Sequence, residues 1–247
     1  PPADWRCDVG AVELGSENHR VCGAPLLLGY SGGGAPLFSD NLRCETDTID
    51  SALDRAQTGD TVIVTGIVTE TVIVDKSVTI RGPLPEEITP GTHMGFVQGA
   101  LVPPTSDGAG SGGVFQILSG REVTIEALNI RHGSAATGGA ISNAGTLVLK
   151  GVMIANSRAI SGAAIYNSGS LEIVNSTLVE NNASGAGVLH NAPGATLTML
   201  HATMADNSGA PIHNANPGQG SAQVAATIIN SAAATQPAAT PHRIGTS

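Results

Sequence analysis

The sequence predicts an all-β fold of the parallel β-helix type, a solenoid whose chain winds through stacked coils of about 24 residues. The first observation is an internal period, because one apolar column recurs at steps of 24 and finally 23 residues: Ile117, Ile141, Ile165, Leu189 and Ile212. Self-similarity at this period is typical of solenoids. The second observation is that apolar residues alternate in short runs such as Leu171-Glu172-Ile173, which favours strands over helices. Parallel ladders then stack the coils about 4.8 Å apart around a core of Ile, Leu and Val.

Further columns repeat at the same period. One contains Val123, Leu147, Leu171 and Leu197, and the last of these comes two residues late because Pro193-Gly194 is an insertion. Another core column is predicted to contain Ile130, Ile154, Leu178, Met204 and Ile228. A single file of threonines is predicted beside it, at Thr177, Thr203 and Thr227.

The composition excludes several classes of partner. Hydrophobic residues make up 41% of the chain but aromatic residues only 2%, so Val, Ile, Leu and Ala must build the core, while 32 glycines indicate frequent turns. A net charge of -9 without a basic run argues against nucleic acid and anionic membrane surfaces. No run of about 18 apolar residues occurs, so membrane insertion is not predicted.

A column of asparagines follows the first apolar column by two residues: Asn143, Asn167, Asn191 and Asn214. Asparagine tolerates turn conformations, and stacked amide side chains can bond from coil to coil, which predicts a structural ladder. A ligand groove lined by asparagines is the functional alternative. His190 and His213 precede two of the asparagines and are expected to stack on the outer surface. Because this pair lacks further ligands, neither a metal nor another cofactor is predicted.

The β-helix is predicted to span residues 45–231 and to begin with a short capping helix. Ile49, Ala52, Leu53 and Ala56 share one helical face, and Asp47 or Thr48 can cap its start. Strands are expected at 61–64, 71–74 and 77–80. A helix over the first open coil protects an edge that would otherwise pair freely.

Residues 83–113 interrupt the period. Five prolines and a glycine-rich run at 108–113 predict a long loop inserted after the second coil. Such a loop on a rigid scaffold often carries binding, and the alternative is a surface loop without a special role.

Two segments resemble a known family. Residues 138–149, Gly-Gly-Ala-Ile-Ser-Asn-Ala-Gly-Thr-Leu-Val-Leu, and 163–173, Ala-Ala-Ile-Tyr-Asn-Ser-Gly-Ser-Leu-Glu-Ile, are similar to the bacterial surface β-helices called choice-of-anchor Q proteins and to polymorphic outer-membrane protein repeats. The helix followed by Gly-Asp at 48–64 also resembles the start of those domains. The resemblance covers most of 45–231 and implies a right-handed coil and an exported surface protein, usually without known catalysis.

One family motif is displaced. The residues that resemble the closing motif of those domains stand before the capping helix here, in a predicted N-terminal segment of residues 1–44, and with Trp5 they form a candidate joint: Trp5, Arg6, Cys7, Asp8, Val9, Gly10, Ala11, Val12 and Glu13. The Ala/Thr/Pro-rich segment 232–247 shows no such motif. A chain that begins Pro1-Pro2 is expected to be a processed product or one unit of a tandem array. Alternatively the N-terminal segment completes the next subunit by strand donation, or folds back on its own helix.

The three cysteines are Cys7, Cys22 and Cys44. Their spacing fits no metal motif, which leaves buried free thiols or one disulfide in an exported protein, and three pairings are possible. If the N-terminal segment leaves its own subunit, the pairing Cys22–Cys44 is favoured.

The predicted function is a secreted extracellular or cell-surface structural protein that assembles head to tail with copies of itself into a filament or surface layer. The first alternative is a monomeric adhesin or carbohydrate-binding β-helix that binds surface polysaccharide. The second is a polysaccharide lyase or hydrolase. Glu180 and Asp206 are equivalent on neighbouring coils, but neither a third acid nor a basic group joins them. No enzyme activity is therefore predicted and no catalytic residue is assigned.

Overall fold

A computed structural model shows a parallel β-helix, which confirms the predicted fold class. The structure describes residues 48–65, 67–83 and 113–215, together with the backbone of the strands at 18–22, 96–98, 222–225 and 228–230. Within these residues, short strands of successive coils pair in parallel and form three elongated sheets, here called faces A, B and C. One short helix, α1 (Ile49–Arg55), lies at the N-terminal side.

The strands of each face are given in the order in which they pair. Face A contains β1 (Asn18–Cys22), β2 (Thr61–Thr65), β5 (Thr79–Arg81), β8 (Glu122–Glu126), β11 (Thr146–Lys150), β15 (Ser170–Val174), β19 (Thr196–Leu200) and β22 (Ala222–Ala225). Face B contains β3 (Ile67–Thr69), β6 (Phe96–Gln98), β9 (Asn129–Arg131), β12 (Met153–Ala155), β16 (Thr177–Val179), β20 (Thr203–Ala205) and β23 (Ile228–Asn230). Face C contains β4 (Val72–Val74), β7 (Phe115–Ile117), β10 (Ile141–Asn143), β14 (Ile165–Asn167), β18 (Leu189–Asn191) and β21 (Ile212–Asn214). The short strands β13 (Arg158–Ala159) and β17 (Asn182–Ala183) pair beside face B.

Each coil passes through the faces in the same order. From β10 on face C the chain enters β11 on face A and then β12 on face B, and β13 leads back to β14 on face C. On face C, Phe115, Ile141, Ile165, Leu189 and Ile212 stand opposite one another, so four successive steps are 26, 24, 24 and 23 residues long.

Alternation along each strand places the core. On β11, Leu147 and Leu149 are fully buried, whereas Thr146 and Lys150 are exposed. The equivalent inward positions of neighbouring coils continue this pattern, and their side chains belong to one hydrophobic cluster that runs along the solenoid axis. Because successive strand residues point to opposite sides, a one-residue slip of any strand would turn its apolar set outward.

The register differs from the predicted columns at two positions. Ile117 stands opposite Asn143, and Phe115 takes the place opposite Ile141. The reason is that residues 118–121 connect β7 to β8, whereas only 144–145 connect β10 to β11, so the first step is longer. At the other end, Ile228 pairs with Thr203 and residue 229 pairs with Met204, so Ile228 was assigned to the wrong column, and Thr227 lies outside the described residues. The late position of Leu197 is confirmed, because it pairs with Leu171.

Helix α1 caps the first coil, as predicted. Thr48 is its N-cap, and the Oγ1 of Thr48 accepts a hydrogen bond of 3.2 Å from the Ser51 amide. The carboxylate of Glu70 accepts bonds from the amides of Ile49 (2.7 Å) and Asp50 (3.3 Å), which partners the free N–H groups of the first turn. The buried face of α1 consists of Ile49, Ala52 and Leu53. Burial raises the pKa of Glu70, and the two amide bonds oppose that rise.

Two segments outside the regular coils contribute strands. Phe96–Gln98 lies within the predicted insertion 83–113 and pairs with both β3 and β9, so it is a strand of face B. Asn18–Cys22 precedes α1 and pairs in parallel with β2 on face A. The remaining predicted features of residues 84–95 and 99–112 lie outside the described residues.

Shortening a fully buried side chain of the regular coils should destabilise the fold. We expect Ile165→Ala to lower the free energy of unfolding by about 2–5 kcal/mol, because the cavity cannot close within a rigid ladder. Urea denaturation measures the change. Thr198→Ala, on the exposed side of β19, is the matched control and should change the free energy by no more than about 0.5 kcal/mol. Equal effects of the two substitutions would contradict the assigned register.

Candidate functional site

The asparagine column lies at the corner between faces C and A. Asn143, Asn167, Asn191 and Asn214 end four successive strands and stand in register. The first three are fully buried, with 0% of their surface exposed. Each Nδ2 donates to the Oδ1 of the next asparagine, over 2.8 Å from Asn143, 2.7 Å from Asn167 and 3.2 Å from Asn191. The amides therefore form one chain of hydrogen bonds along the axis.

The same amides bind the backbone of the corner. Nδ2 of Asn167 also donates to the carbonyl of Thr196 over 2.8 Å, and its Oδ1 accepts from the amide of Gly169 over 3.3 Å. Asn143 makes the equivalent bonds to Ser170 and Gly145, over 2.9 Å and 3.1 Å. Each side chain thus holds its own turn and the turn of the next coil. Because the amides are buried and fully engaged with protein groups, their chemistry here is structural.

A second buried polar ladder was not anticipated from the sequence. It lies at the corner after face B and contains Ser157, Asn181 and Asn207. Oδ1 of Asn181 accepts from the Ser157 amide over 3.0 Å, and Oδ1 of Asn207 accepts from the Asn181 amide over 2.9 Å. The amide nitrogens donate back to the carbonyls of Ile154 (2.9 Å) and Leu178 (2.8 Å). Spacings of 24 and 26 residues were the available signal, but the column changes from serine to asparagine and its spacing is uneven.

Glu180 and Asp206 lie on an outer corner. They follow the paired strands β16 and β20, so they are one coil apart, and both are exposed. Their backbone is left-handed, with φ of 55° and 52°, and the same conformation occurs in the two preceding coils at Asn156 (55°) and His132 (59°). A corner shared by histidine, asparagine, glutamate and aspartate is defined by its backbone conformation. The feature that these four residues share is the left-handed backbone.

Three rings stack on the outer side of face C. Tyr166, His190 and His213 are the central residues of β14, β18 and β21. Ring centroids are 4.9 Å apart in both steps, with interplanar angles of 8° for Tyr166–His190 and 29° for His190–His213. Burial lowers the pKa of His190, the charge of His213 lowers it further, and a hydrogen bond with the backbone of Ala186 raises it. The rings present their faces to one another, which leaves mainly ring edges for solvent.

A positively charged corner follows strand β9 of face B. Burial lowers the pKa of His132, and the charges of Arg131 and Arg158 lower it further. A parallel bridge between Ser134 and Arg158 brings the second arginine to this coil. In the described part of the chain, Nδ1 of His132 and Oγ of Ser134 are buried without a hydrogen-bond partner. This corner gathers positive charge on a chain whose net charge is -9.

No described group of three or more His, Cys, Asp or Glu side chains is placed to hold a metal ion. Within the same residues, no helix is both long and apolar enough to cross a membrane. In comparisons with known proteins, no family profile, no curated protein and no solved structure matched this chain. Any proposal about function therefore rests on the geometry of the described residues.

Several predicted site residues lie outside the described residues. These include the candidate joint, from Trp5 to Glu13, and two cysteines, Cys7 and Cys44. Cys22 ends β1, so the backbone position of one partner of the predicted disulfide is known. The pairing Cys22–Cys44 stays a prediction.

Removing one amide from the asparagine ladder should destabilise the whole solenoid. We expect Asn167→Ala to lower the free energy of unfolding by about 3 kcal/mol, because buried groups on Asn143, Asn191 and Thr196 lose their partner. Chemical denaturation followed by circular dichroism measures this. Asn182→Ala, at an exposed position of β17, is the control and should cost about 0.5 kcal/mol or less. A ladder without structural importance would give the same small value at both positions.

Replacing Glu180 by glycine should stabilise the fold. A left-handed backbone costs an ordinary residue about 1–2 kcal/mol, and glycine avoids this cost while losing more chain entropy. We expect Glu180→Gly to raise the free energy of unfolding by about 0.5 kcal/mol. Glu172→Gly, at an exposed mid-strand position of β15, should instead lower it by about 0.5–1 kcal/mol. Thermal unfolding of both variants compares them, and a loss of stability in Glu180→Gly equal to that in Glu172→Gly would refute the strained corner.

Proposed function

We propose that this chain is a secreted structural protein whose copies stack head to tail into an extracellular filament or surface layer. The observation that carries the proposal is strand β1, which precedes the capping helix and pairs in parallel with β2, from Asn18 opposite Thr61 to Cys22 opposite Thr65. The N-terminal segment thus contains a strand that extends face A beyond its first coil. A strand in this position offers its outer edge to a second chain.

The ends of the three faces favour such a contact. The last strands are β21, β22 and β23, and β1 is the first strand of face A; among the described residues each of them has one partner strand. Edge strands present unpaired N–H and C=O groups that can pair with another chain. Because every pairing in these faces is parallel, a copy shifted along the axis meets the edge with its strands in the same direction. This contact is heterologous, and its repetition gives a filament.

The residues of the edge strands support the proposal. Natural proteins protect exposed edges with lysine, other charges or proline. The last strands β22 (Ala-Gln-Val-Ala) and β23 (Ile-Ile-Asn) contain none of these, whereas β1 (Asn-His-Arg-Val-Cys) contains one arginine. We propose that β1 of one copy pairs with β22 of the next, so that face A continues across the joint.

Export is proposed on separate grounds. The resemblance to bacterial surface β-helices and the three cysteines favour a protein that works outside the cell. The proposed partner is another copy of the chain.

Electron microscopy of the purified full chain tests the assembly, combined with light scattering over a concentration series. We expect fibres whose mass grows with concentration. Val21→Pro should abolish them, because proline removes a backbone donor from β1 and does not fit a ladder. Val21→Ile keeps a β-branched residue and is the matched control, which should form fibres as the unsubstituted chain does.

The outcomes separate the assembly from its joint. Discrete monomers at all concentrations would overturn the proposed function. Fibres that persist in Val21→Pro would show assembly through another surface and overturn the role given to β1. An unchanged unfolding midpoint in Val21→Pro would exclude general unfolding as the cause of lost fibres.

A further inference from the structure

The outermost strand of face C is held less firmly than the strands before it. The central strands of face C bury their first and third residues, whereas Ile212, His213 and Asn214 of β21 are all partly exposed. Ile212 packs against the edge of the hydrophobic core. Because β21 is only partly buried, its hydrogen bonds and its ring contact determine how firmly it is attached.

Besides its parallel ladder with β18, from Leu189 opposite Ile212 to Asn191 opposite Asn214, β21 is attached by flanking and side-chain contacts. The backbone amide of Leu189 donates to the carbonyl of Pro211 over 3.0 Å, and the amide of Ala215 donates to the carbonyl of Asn191 over 2.9 Å. The side chain of Asn191 donates to Asn214 over 3.2 Å. On the outer side, the ring of His213 lies on the ring of His190 at a centroid distance of 4.9 Å.

We propose that the stacked pair His190–His213 is an acid-sensitive latch, which holds β21 on β18 at neutral pH and releases it when both imidazoles are protonated. Two neutral rings stack favourably, but two imidazolium ions at this distance repel each other. Between unit charges about 5 Å apart in bulk water, that repulsion changes an equilibrium about fourfold. The latch rests on contacts within a single chain, and it lies at the end of the solenoid where the proposed joint would form.

The surroundings of the pair determine the direction of the pH effect. His190 faces Tyr166 on β14 and His213 on β21, and it bonds to the backbone of Ala186. Burial and the charge of His213 place the pKa of His190 below its ordinary value of 6.5. A histidine whose pKa is lower in the folded chain than in the unfolded chain favours the folded form when it is neutral and disfavours it when it is protonated. The attachment of β21 is therefore complete above the unfolded pKa and is lost as pH falls through the folded pKa.

Amide hydrogen exchange of the full chain at pH 7.5 and pH 5.0 tests the latch, after correction for intrinsic rates. We expect the protection of the Leu189 and Ala215 amides to fall about fourfold or more at pH 5.0. The amide of Ala164, which bonds to Val188 one coil earlier, should keep its protection. The comparison distinguishes release of the last strand from loss of the whole fold.

Two variants identify the groups responsible. His213→Phe keeps a ring on His190 but cannot be protonated, so protection at pH 7.5 should remain and the acid-dependent loss should disappear. His201→Gln removes an exposed histidine elsewhere on the solenoid and should leave the loss unchanged. Equal protection at both pH values, an equal loss at Ala164, or the same loss in His213→Phe would each overturn the latch.

Discussion

The hydrogen bonds between stacked asparagine side chains hold the corner between faces C and A together, and the regularity of the coils depends on them. At each corner the chain leaves one strand and enters the next. The backbone N–H and C=O groups of the corner residues therefore lack strand partners, although buried groups of this kind need hydrogen bonds. Nδ2 and Oδ1 of Asn167 bind the carbonyl of Thr196 and the amide of Gly169, so groups from two coils are partnered by one side chain. The cost of leaving such groups unpaired fixes which residues can stand opposite one another.

The hydrogen bonds at the corner also constrain the residues that follow it. Two residues after Asn143 and Asn167 stand Gly145 and Gly169, where the coils approach so closely that a Cβ on Gly169 would lie 2.1 Å from the carbonyl oxygen of Gly145. Asparagine and glycine together therefore set the start of β11 and β15 on face A. Once the start of a strand is fixed, the alternation of inward and outward residues along β11, β15 and β19 places the apolar side chains in the core. The insertion at Pro193-Gly194 is tolerated because both residues are exposed.

The period and the asparagine column could be read directly from the sequence because each repeats one residue type at nearly constant spacing. The second ladder could not, because Ser157, Asn181 and Asn207 supply similar hydrogen bonds from different side chains. Ile117 was assigned to the wrong column because it lies 24 residues before Ile141, although the longer turn at 118–121 moves it opposite Asn143. The strand Phe96–Gln98 was hidden within a segment rich in proline and glycine, and its register is visible only from its neighbours on face B.

The outer surface of the described coils follows from the same architecture. The ring column and the left-handed corner repeat along the axis because the backbone repeats, and chemically different side chains occupy equivalent places. The proposed assembly contact lies where the repeat ends, at β21, β22 and β23, each of which has one partner strand among the described residues.

The most direct test of this account is the exchange rate of the side-chain amide protons of Asn167, measured by nuclear magnetic resonance beside those of the exposed Asn182. If Asn167 belongs to a buried ladder, its amide protons should exchange at least about a hundredfold more slowly, because exchange requires coils to separate. Equal rates at the two asparagines would contradict the central claim that a buried chain of hydrogen-bonded side-chain amides holds the coils in register.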